Sequence, residues 1–185
     1  QAQRLDRILV SSDDLTLKAL AERYGIEFVE RPAELCTETA LFDDALRHAC
    51  RLLEARDGFR PDVVVAMQGN VPIRKPGQID AVIRRMEELP GATAVCTAQV
   101  VRERPEWFKR VQDERSGLAM PFMDERLGYR TQDLPPLFRI DGAIMAIRLS
   151  TLYAQEGKQT VHAWLGERIH LLVQDHVRYS LEVDY

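Results

Sequence analysis

The chain predicts an α/β fold, a three-layer sandwich around a mostly parallel, Rossmann-like sheet. Three observations carry that expectation. Short apolar, β-branched runs alternate with segments whose apolar residues recur at helical spacing. One run, Val63-Val64-Val65-Ala66-Met67, is apolar on both faces, as a central strand covered by helices on each side would be. Polar loops bearing glycine, proline and amides follow the strands, where ligands gather in open α/β sheets.

The first strand is Arg7-Ile8-Leu9-Val10-Ser11, which runs into Ser11-Ser12-Asp13-Asp14, a cluster rich in helix N-cap residues. Leu17, Leu20, Ala21 and Tyr24 then recur at helical spacing, and Gly25 stands where a left-handed residue closes a helix. Residues 26–29 form a second short strand. Beyond the Pro32 loop, Phe42, Ala45, Leu46, Ala49, Cys50 and Leu53 line one face of a helix. The 63–67 strand leads to a helix over 76–88, with Ile79, Val82, Ile83 and Met86 inward, and then to a strand over 92–100. The rhythm breaks between about 101 and 140, a charged, proline-bearing stretch dotted with Trp107, Phe108, Phe122, Tyr129 and Phe138. It predicts an inserted arm, not a second domain. Residues 142–147 resume as strand, 149–154 form a short helix, and 169–173 and 181–184 are late strands.

Composition narrows the function. The 185 residues are enough for one domain with a real core, and 45% hydrophobic with 29% charged residues is a globular balance. A net charge of -4 offers no basic footprint for nucleic acid. No apolar run approaches the roughly 18 residues that span a bilayer, so no membrane partner is expected. Cys36, Cys50 and Cys96 match neither a disulfide framework nor metal-ligand spacing, and no signal peptide is visible; reduced thiols in a cytoplasmic protein are expected. The four histidines also lack metal-site spacing. The opening Gln1-Ala2-Gln3-Arg4 has no leading strand, which predicts a single domain over 1–185 whose first element begins upstream.

Three polar loops stand at strand ends: 11–14, 68–74 and the segment around Asp141-Gly142. The most loaded is Gln68-Gly69-Asn70-Val71-Pro72-Ile73-Arg74. A helix N-terminus beyond such a loop favours an anion, although a rigid turn with backbone-bound amides would use the same residues. Glu182 and Asp184, two apart on a strand, point to one face. A divalent cation relieves their repulsion, and magnesium typically takes one or two carboxylates plus substrate phosphates; a solvated strand face is the alternative. Arg130 and Gln132 lie in Tyr129-Arg130-Thr131-Gln132-Asp133-Leu134-Pro135. An arginine fork pairs with carboxylate or phosphate, while a lone loop arginine, Arg31 included, can simply be solvated.

Taken in order, five segments resemble the acylneuraminate cytidylyltransferase family, the CMP-sugar-acid synthetases. They are Val10-Ser11-Ser12-Asp13-Asp14, then Arg31-Pro32-Ala33-Glu34-Leu35, then the 68–74 loop. Arg130 to Pro135 leading into Asp141-Gly142-Ala143-Ile144 comes next, and Ser180-Leu181-Glu182-Val183-Asp184 is last. The likeness covers nearly the whole chain. It implies a fold of the nucleotide-diphospho-sugar transferase type and a homodimer in which the 101–140 arm is the dimerisation element. It also implies a reaction: the anomeric hydroxyl of a sugar acid attacks the α-phosphate of CTP, with Mg2+, and pyrophosphate leaves.

By the same resemblance Arg74 and Asp184 are catalytic, and Glu182 and Asp184 hold the metal. Ser11, Asp13, Arg31, Gln68 and Asn70 face the nucleotide, and Gln68, Arg130, Gln132 and Asp141 face the sugar acid. The family's glycine-rich, basic phosphate loop is expected before Gln1. Glu182 stands where relatives usually have aspartate, and Asp141 replaces a common asparagine. Gln68-Gly69 is similar to the branch acting on the eight-carbon acid of lipopolysaccharide, whereas Pro72-Ile73-Arg74 is similar to the nonulosonic branch and favours a nine-carbon acid such as a sialic acid. A sugar nucleotidyltransferase with another base, or a catalytically silent dimerisation or regulatory homologue, are the alternatives.

Overall fold

The computed structural model describes residues 2–123 and 134–183. In chain order the first half runs β1 (Leu9–Ser12), α1 (Leu15–Arg23), β2 (Glu27–Glu30), α2 (Phe42–Asp57), β3 (Val63–Ala66) and α3 (Gln78–Glu88). The second half runs β4 (Ala94–Val101), β5 (Lys109–Asp113), β6 (Leu118–Pro121), β7 (Leu137–Arg148), α4 (Leu149–Ala154) and β8 (Ile169–Val173). Local chemistry sets several ends. Asp14 caps α1 by accepting the Thr16 N–H at 2.7 Å. Gly58, at φ +71°, closes α2 in the left-handed conformation.

The main sheet has the order β3-β7-β4-β8, and β1 pairs with β2 in a separate parallel pair. β3, β4 and β8 share one direction, and β7 runs against its two neighbours. Helices cover both faces, as a three-layer sandwich requires. On one face Ala66, Ala94, Cys96, Met145 and Ile147 meet Cys50 of α2, Leu152 of α4, Trp164 and Leu165. On the other, Val95, Ile144 and Ala146 meet Val82 and Met86 of α3. Successive β7 residues thus alternate between two cores, the period of two that a strand imposes. Each fully buried aliphatic side chain contributes about 1.5–3 kcal/mol.

Arg47 fastens α2 to α4 from inside. Its guanidinium is buried, its Nε donates to the Leu152 carbonyl at 2.8 Å, and its Nη1 pairs with Asp43 and Asp44 at 2.7 Å each.

Four expectations change. Val63, Val64 and Val65 are only partly buried, because β3 stands at an edge of the main sheet among the described residues. Beside that edge lies a cleft of about 780 Å³ that separates β3 from β1. The apolar face expected for α1 buries only Ala21; Leu17, Leu20 and Tyr24 stay exposed, since no described element packs over them. The arm is shorter than 101–140, because β4 reaches Val101 and β7 already begins at Leu137. Its described part is the β5–β6 antiparallel hairpin, exposed along both strands. Finally, residues 181–183 are not a ladder strand. They follow the 3-10 turn Val177–Ser180 as extended chain, held by a main-chain bond described below.

Candidate active site

The site is built on an irregularity in β7. Pairing with β4 is regular at Cys96↔Met145 and again at Ala98↔Ile140. Between these pairs β4 advances by two residues and β7 by five, so residues 141–144 bulge out opposite Thr97. The Thr97 hydroxyl replaces the missing ladder, accepting the Ile144 N–H at 3.0 Å and donating to Asp141 Oδ1 at 2.5 Å. Gly142 makes the bulge possible. Its φ is +68°, and a Cβ there would lie 2.1 Å from Gln68 Oε1.

The 68–74 loop docks on this bulge. The Gln68 N–H donates to the Gly142 carbonyl at 3.1 Å. Arg74 donates from Nε to the Ala143 carbonyl at 2.9 Å and from Nη2 to the Gln68 carbonyl at 2.6 Å. Nη1 makes no hydrogen bond among the described residues. Burial pushes the Arg74 guanidinium below its ordinary value, and the neighbouring Asp141 carboxylate opposes that shift. Arg74 therefore braces the loop with two of its donors.

The carboxyl-terminal segment meets the same loop. The Val183 N–H donates to the Asn70 carbonyl at 2.8 Å, so Glu182 sits directly beside the loop. The Glu182 carboxylate pairs with Arg139 at 3.2 Å, both side chains partly exposed. Such a pair is weak and exchangeable. Lys75, just past the loop, pairs with Asp175 after β8. That partner raises the Lys75 ammonium pKa, and Lys75 lowers the Asp175 carboxyl pKa.

Ser11, Asp13 and Arg31 form a second group at the carboxyl end of β1. Arg31 Nη2 donates to the Ser11 carbonyl at 2.6 Å, and the Arg31 N–H to the Ser12 carbonyl at 3.0 Å. Asp13 is exposed next to Cys36. Ser11 and Arg31 line the β1–β3 cleft together with Met67, the residue before Gln68, so the cleft joins the two groups along one rim. Arg130, Gln132 and Asp184 lie outside the described residues.

Asp141 differs from its expectation as a substrate contact. Its side chain is 1% exposed, and both oxygens are occupied by protein donors. Sequence reading also passed over Gln78, Thr97, Gln174 and Ser180, all buried and all joined to Asp141 directly or through one amide. The Gln174-Asp175 pair at the end of the apolar 169–173 run was the available signal, a polar step at a strand's carboxyl end.

The structure thus sets an arginine-braced loop at the end of β3 of an α/β sandwich, with the acidic segment docked beside it. The chain belongs to the cytidylyltransferase family, whose sequence profile matches residues 1–174. Among characterised relatives, an N-acylneuraminate cytidylyltransferase of Streptococcus agalactiae serotype V is 30% identical over 177 residues, 96% of this chain and 39% of the relative. An 8-amino-3,8-dideoxy-manno-octulosonate cytidylyltransferase of Shewanella baltica is 30% identical over 142 residues, 72% of this chain and 55% of the relative. The chain thus spans 39% to 55% of the length of these two. A solved CMP:2-keto-3-deoxy-manno-octonic acid synthetase complexed with CTP superposes with a TM-score of 0.60 at 15% identity, covering 94% of this chain and 75% of that one. That likeness is one of fold.

Proposed function

We propose that the chain carries the cytidylyl-transfer domain of a CMP-sugar-acid synthetase. The anomeric hydroxyl oxygen of a sugar acid bonds to the α-phosphorus of CTP, the bond from that phosphorus to the bridging oxygen breaks, and pyrophosphate leaves with the electron pair. The hydroxyl proton passes to solvent water in the same step. The single observation that carries this reading is the docking of the acidic segment on the Arg74-braced loop: Arg74 holds the Gln68 and Ala143 carbonyls, and Val183, next to Glu182, holds the Asn70 carbonyl.

In this arrangement Arg74 Nη1 faces phosphate charge as it develops on the transferred group, the kind of preorganised donor that lowers a phosphoryl-transfer barrier. Gln68 and Asn70 supply amides toward the base and the sugar, and Ser11, Asp13 and Arg31 approach the nucleotide from the opposite rim of the cleft. Arg130 and Gln132 are assigned to the sugar acid and its carboxylate. The 1–185 span acts as one domain.

Mg2+ is the metal assigned to this site. No group of three or more His, Cys, Asp or Glu side chains forms a cage among the described residues. Magnesium seldom needs one, since it completes its octahedron with waters and substrate phosphates. Glu182 with Asp184 would hold it, and when bound it neutralises triphosphate charge. Relatives acting on both nine-carbon and eight-carbon acids match the chain; the fuller coverage by the nine-carbon enzyme and Pro72-Ile73-Arg74 favour a nonulosonic acid. The exposed Val111, Leu118 and Met120 of the hairpin, with Phe122 beside it, support a homodimer built through that arm; the enzyme is assigned to the cytoplasm.

The test is equilibrium binding of CTP, UTP, GTP and ATP to the full-length protein with magnesium. CTP is expected to bind at least about tenfold more tightly than the others, as a site that hydrogen-bonds its base requires. Equal affinities, or preference for another base, would remove the cytidylyl assignment.

A further inference from the structure

We propose that Asp141 is a positioning residue that holds the carboxyl-terminal acidic segment against the 68–74 loop and so sets where Glu182 stands. The metal readout of this inference rests on the function proposed above; the structural readout does not.

Asp141 gathers four donors from different parts of the fold. Oδ1 accepts from the Thr97 hydroxyl at 2.5 Å and the Ala143 N–H at 3.0 Å. Oδ2 accepts from Gln174 Nε2 at 3.0 Å and the Ser180 hydroxyl at 2.6 Å. Together these fill the four acceptor positions of a carboxylate. They come from β4, from the bulge itself, from the end of β8 and from the 3-10 turn Val177–Ser180. Ser180 is two residues before Glu182, and Val183 immediately after Glu182 is bonded to Asn70. Glu182 is thus clamped between one anchor on Asp141 and one on the loop.

A one-way relay fixes the orientation of this hub. The Lys75 N–H reaches Gln78 Oε1 at 3.4 Å, Gln78 Nε2 donates to Gln174 Oε1, and Gln174 Nε2 is thereby aimed at Asp141 and the Tyr179 carbonyl. Every donor points toward Asp141. An asparagine would keep one acceptor oxygen and turn the other position into a donor facing Gln174 Nε2 and the Ser180 hydroxyl. Glutamate would drive an extra methylene into a closed bulge. Aspartate is therefore the side chain that satisfies this particular set of neighbours, and burying a carboxylate is costly unless it is so paired. The relay also ties the loop to the acidic segment: Lys75 and Gln78 flank the loop's exit, and Gln174 and Ser180 flank the entry to residues 181–183.

The experiment uses the full-length protein with Asp141→Asn and Ser180→Ala. The second variant deletes one donor and leaves the other three, so it folds even if the first does not. Two quantities are read: exchange of the Val183 amide with deuterated solvent, and the magnesium concentration for half-maximal CTP turnover set against KM for CTP. Ser180→Ala is expected to speed Val183 exchange and raise the magnesium requirement by about tenfold, the scale of one lost hydrogen bond to a charged group. KM for CTP stays within about twofold, since no nucleotide contact is removed. Asp141→Asn exceeds Ser180→Ala in both. Unchanged Val183 exchange in Ser180→Ala would overturn the positioning role, as would equal rises in the magnesium requirement and in KM for CTP. Faster Val183 exchange in a protein whose wild type turns over no CTP would uphold the clamp and remove the cytidylyl reading.

Discussion

Val183 donates its main-chain N–H to the carbonyl of Asn70 across 2.8 Å, and this bond brings two stretches more than a hundred residues apart in sequence to one place. On one side is the loop that follows β3, braced by Arg74; on the other is the acidic segment containing Glu182. The candidate chemistry depends on that meeting more than on any single side chain.

The bulge in β7 is the first part open to test. In Gly142→Ala the left-handed φ costs about 1–2 kcal/mol, and the new methyl group must displace the Gln68 side chain it would overlap. Urea unfolding should show that loss. Gly142→Ala combined with Gln68→Ala should keep the backbone cost, because only the overlap is relieved. A fully stable Gly142→Ala would mean that the backbone at 142 does not need its positive φ.

Arg74 has a brace and a charge to lose. Arg74→Ala removes bonds to the Gln68 and Ala143 carbonyls and should cost about 1–3 kcal/mol along with turnover. Arg74→Lys keeps the charge, but a point donor cannot span both carbonyls in place of a planar fork. It should recover part of the stability and little of the activity. Equal recovery of both would assign Arg74 to charge alone.

The cysteines offer a check on burial. Burial pushes the Cys50 thiol up to about 11 and the Cys96 thiol up to about 12, and it also raises Cys36. At pH 8 an aromatic disulfide reagent should spare Cys50 and Cys96 in the native protein, react slowly with the half-buried Cys36, and titrate all three in urea. Rapid loss of three native thiols would contradict the packing of β4 against α2.

Acid should loosen the surface ion pairs. Hydrogen bonds from Arg7 hold the Asp57 carboxyl below its ordinary value, and Lys75 does the same for Asp175. A carboxyl depressed in the folded state adds stability that is fully present above its unfolded value and is lost as pH falls through its folded value. The urea midpoint should therefore be level from pH 7 to about 5 and fall below about 4. A midpoint rising between pH 4 and 3 would mean these carboxylates are not paired in solution.

Much of the architecture was legible because hydrophobic period is a local property. The α2 face of Phe42, Ala45, Leu46, Ala49, Cys50 and Leu53 packs as its spacing predicts, and α4 occupies 149–154. What escaped depends on partners distant in sequence. The direction of β7 was overlooked although the 101–140 interval contains no helical spacing, and an antiparallel neighbour needs no crossover helix. The apolar stretch of α1 read as a buried face, yet burial requires something to cover it. At the site, the 68–74 loop and the segment holding Glu182 lie together through the Val183–Asn70 bond. Asp141 was assigned to the sugar acid by the family resemblance alone. Only the bulge, which swings it inward onto Thr97, Gln174 and Ser180, gives it a different task. Arg130, Gln132 and Asp184 fall outside the described residues.

The most direct measurement is phosphorus-31 NMR of the full-length protein with CTP, magnesium and a nine-carbon sugar acid. A new phosphodiester resonance from the CMP-linked acid, appearing with an equal amount of pyrophosphate and absent when CTP is replaced by UTP, is the expected result. Folded protein that leaves CTP intact with every sugar acid supplied, or that consumes UTP equally well, would contradict it.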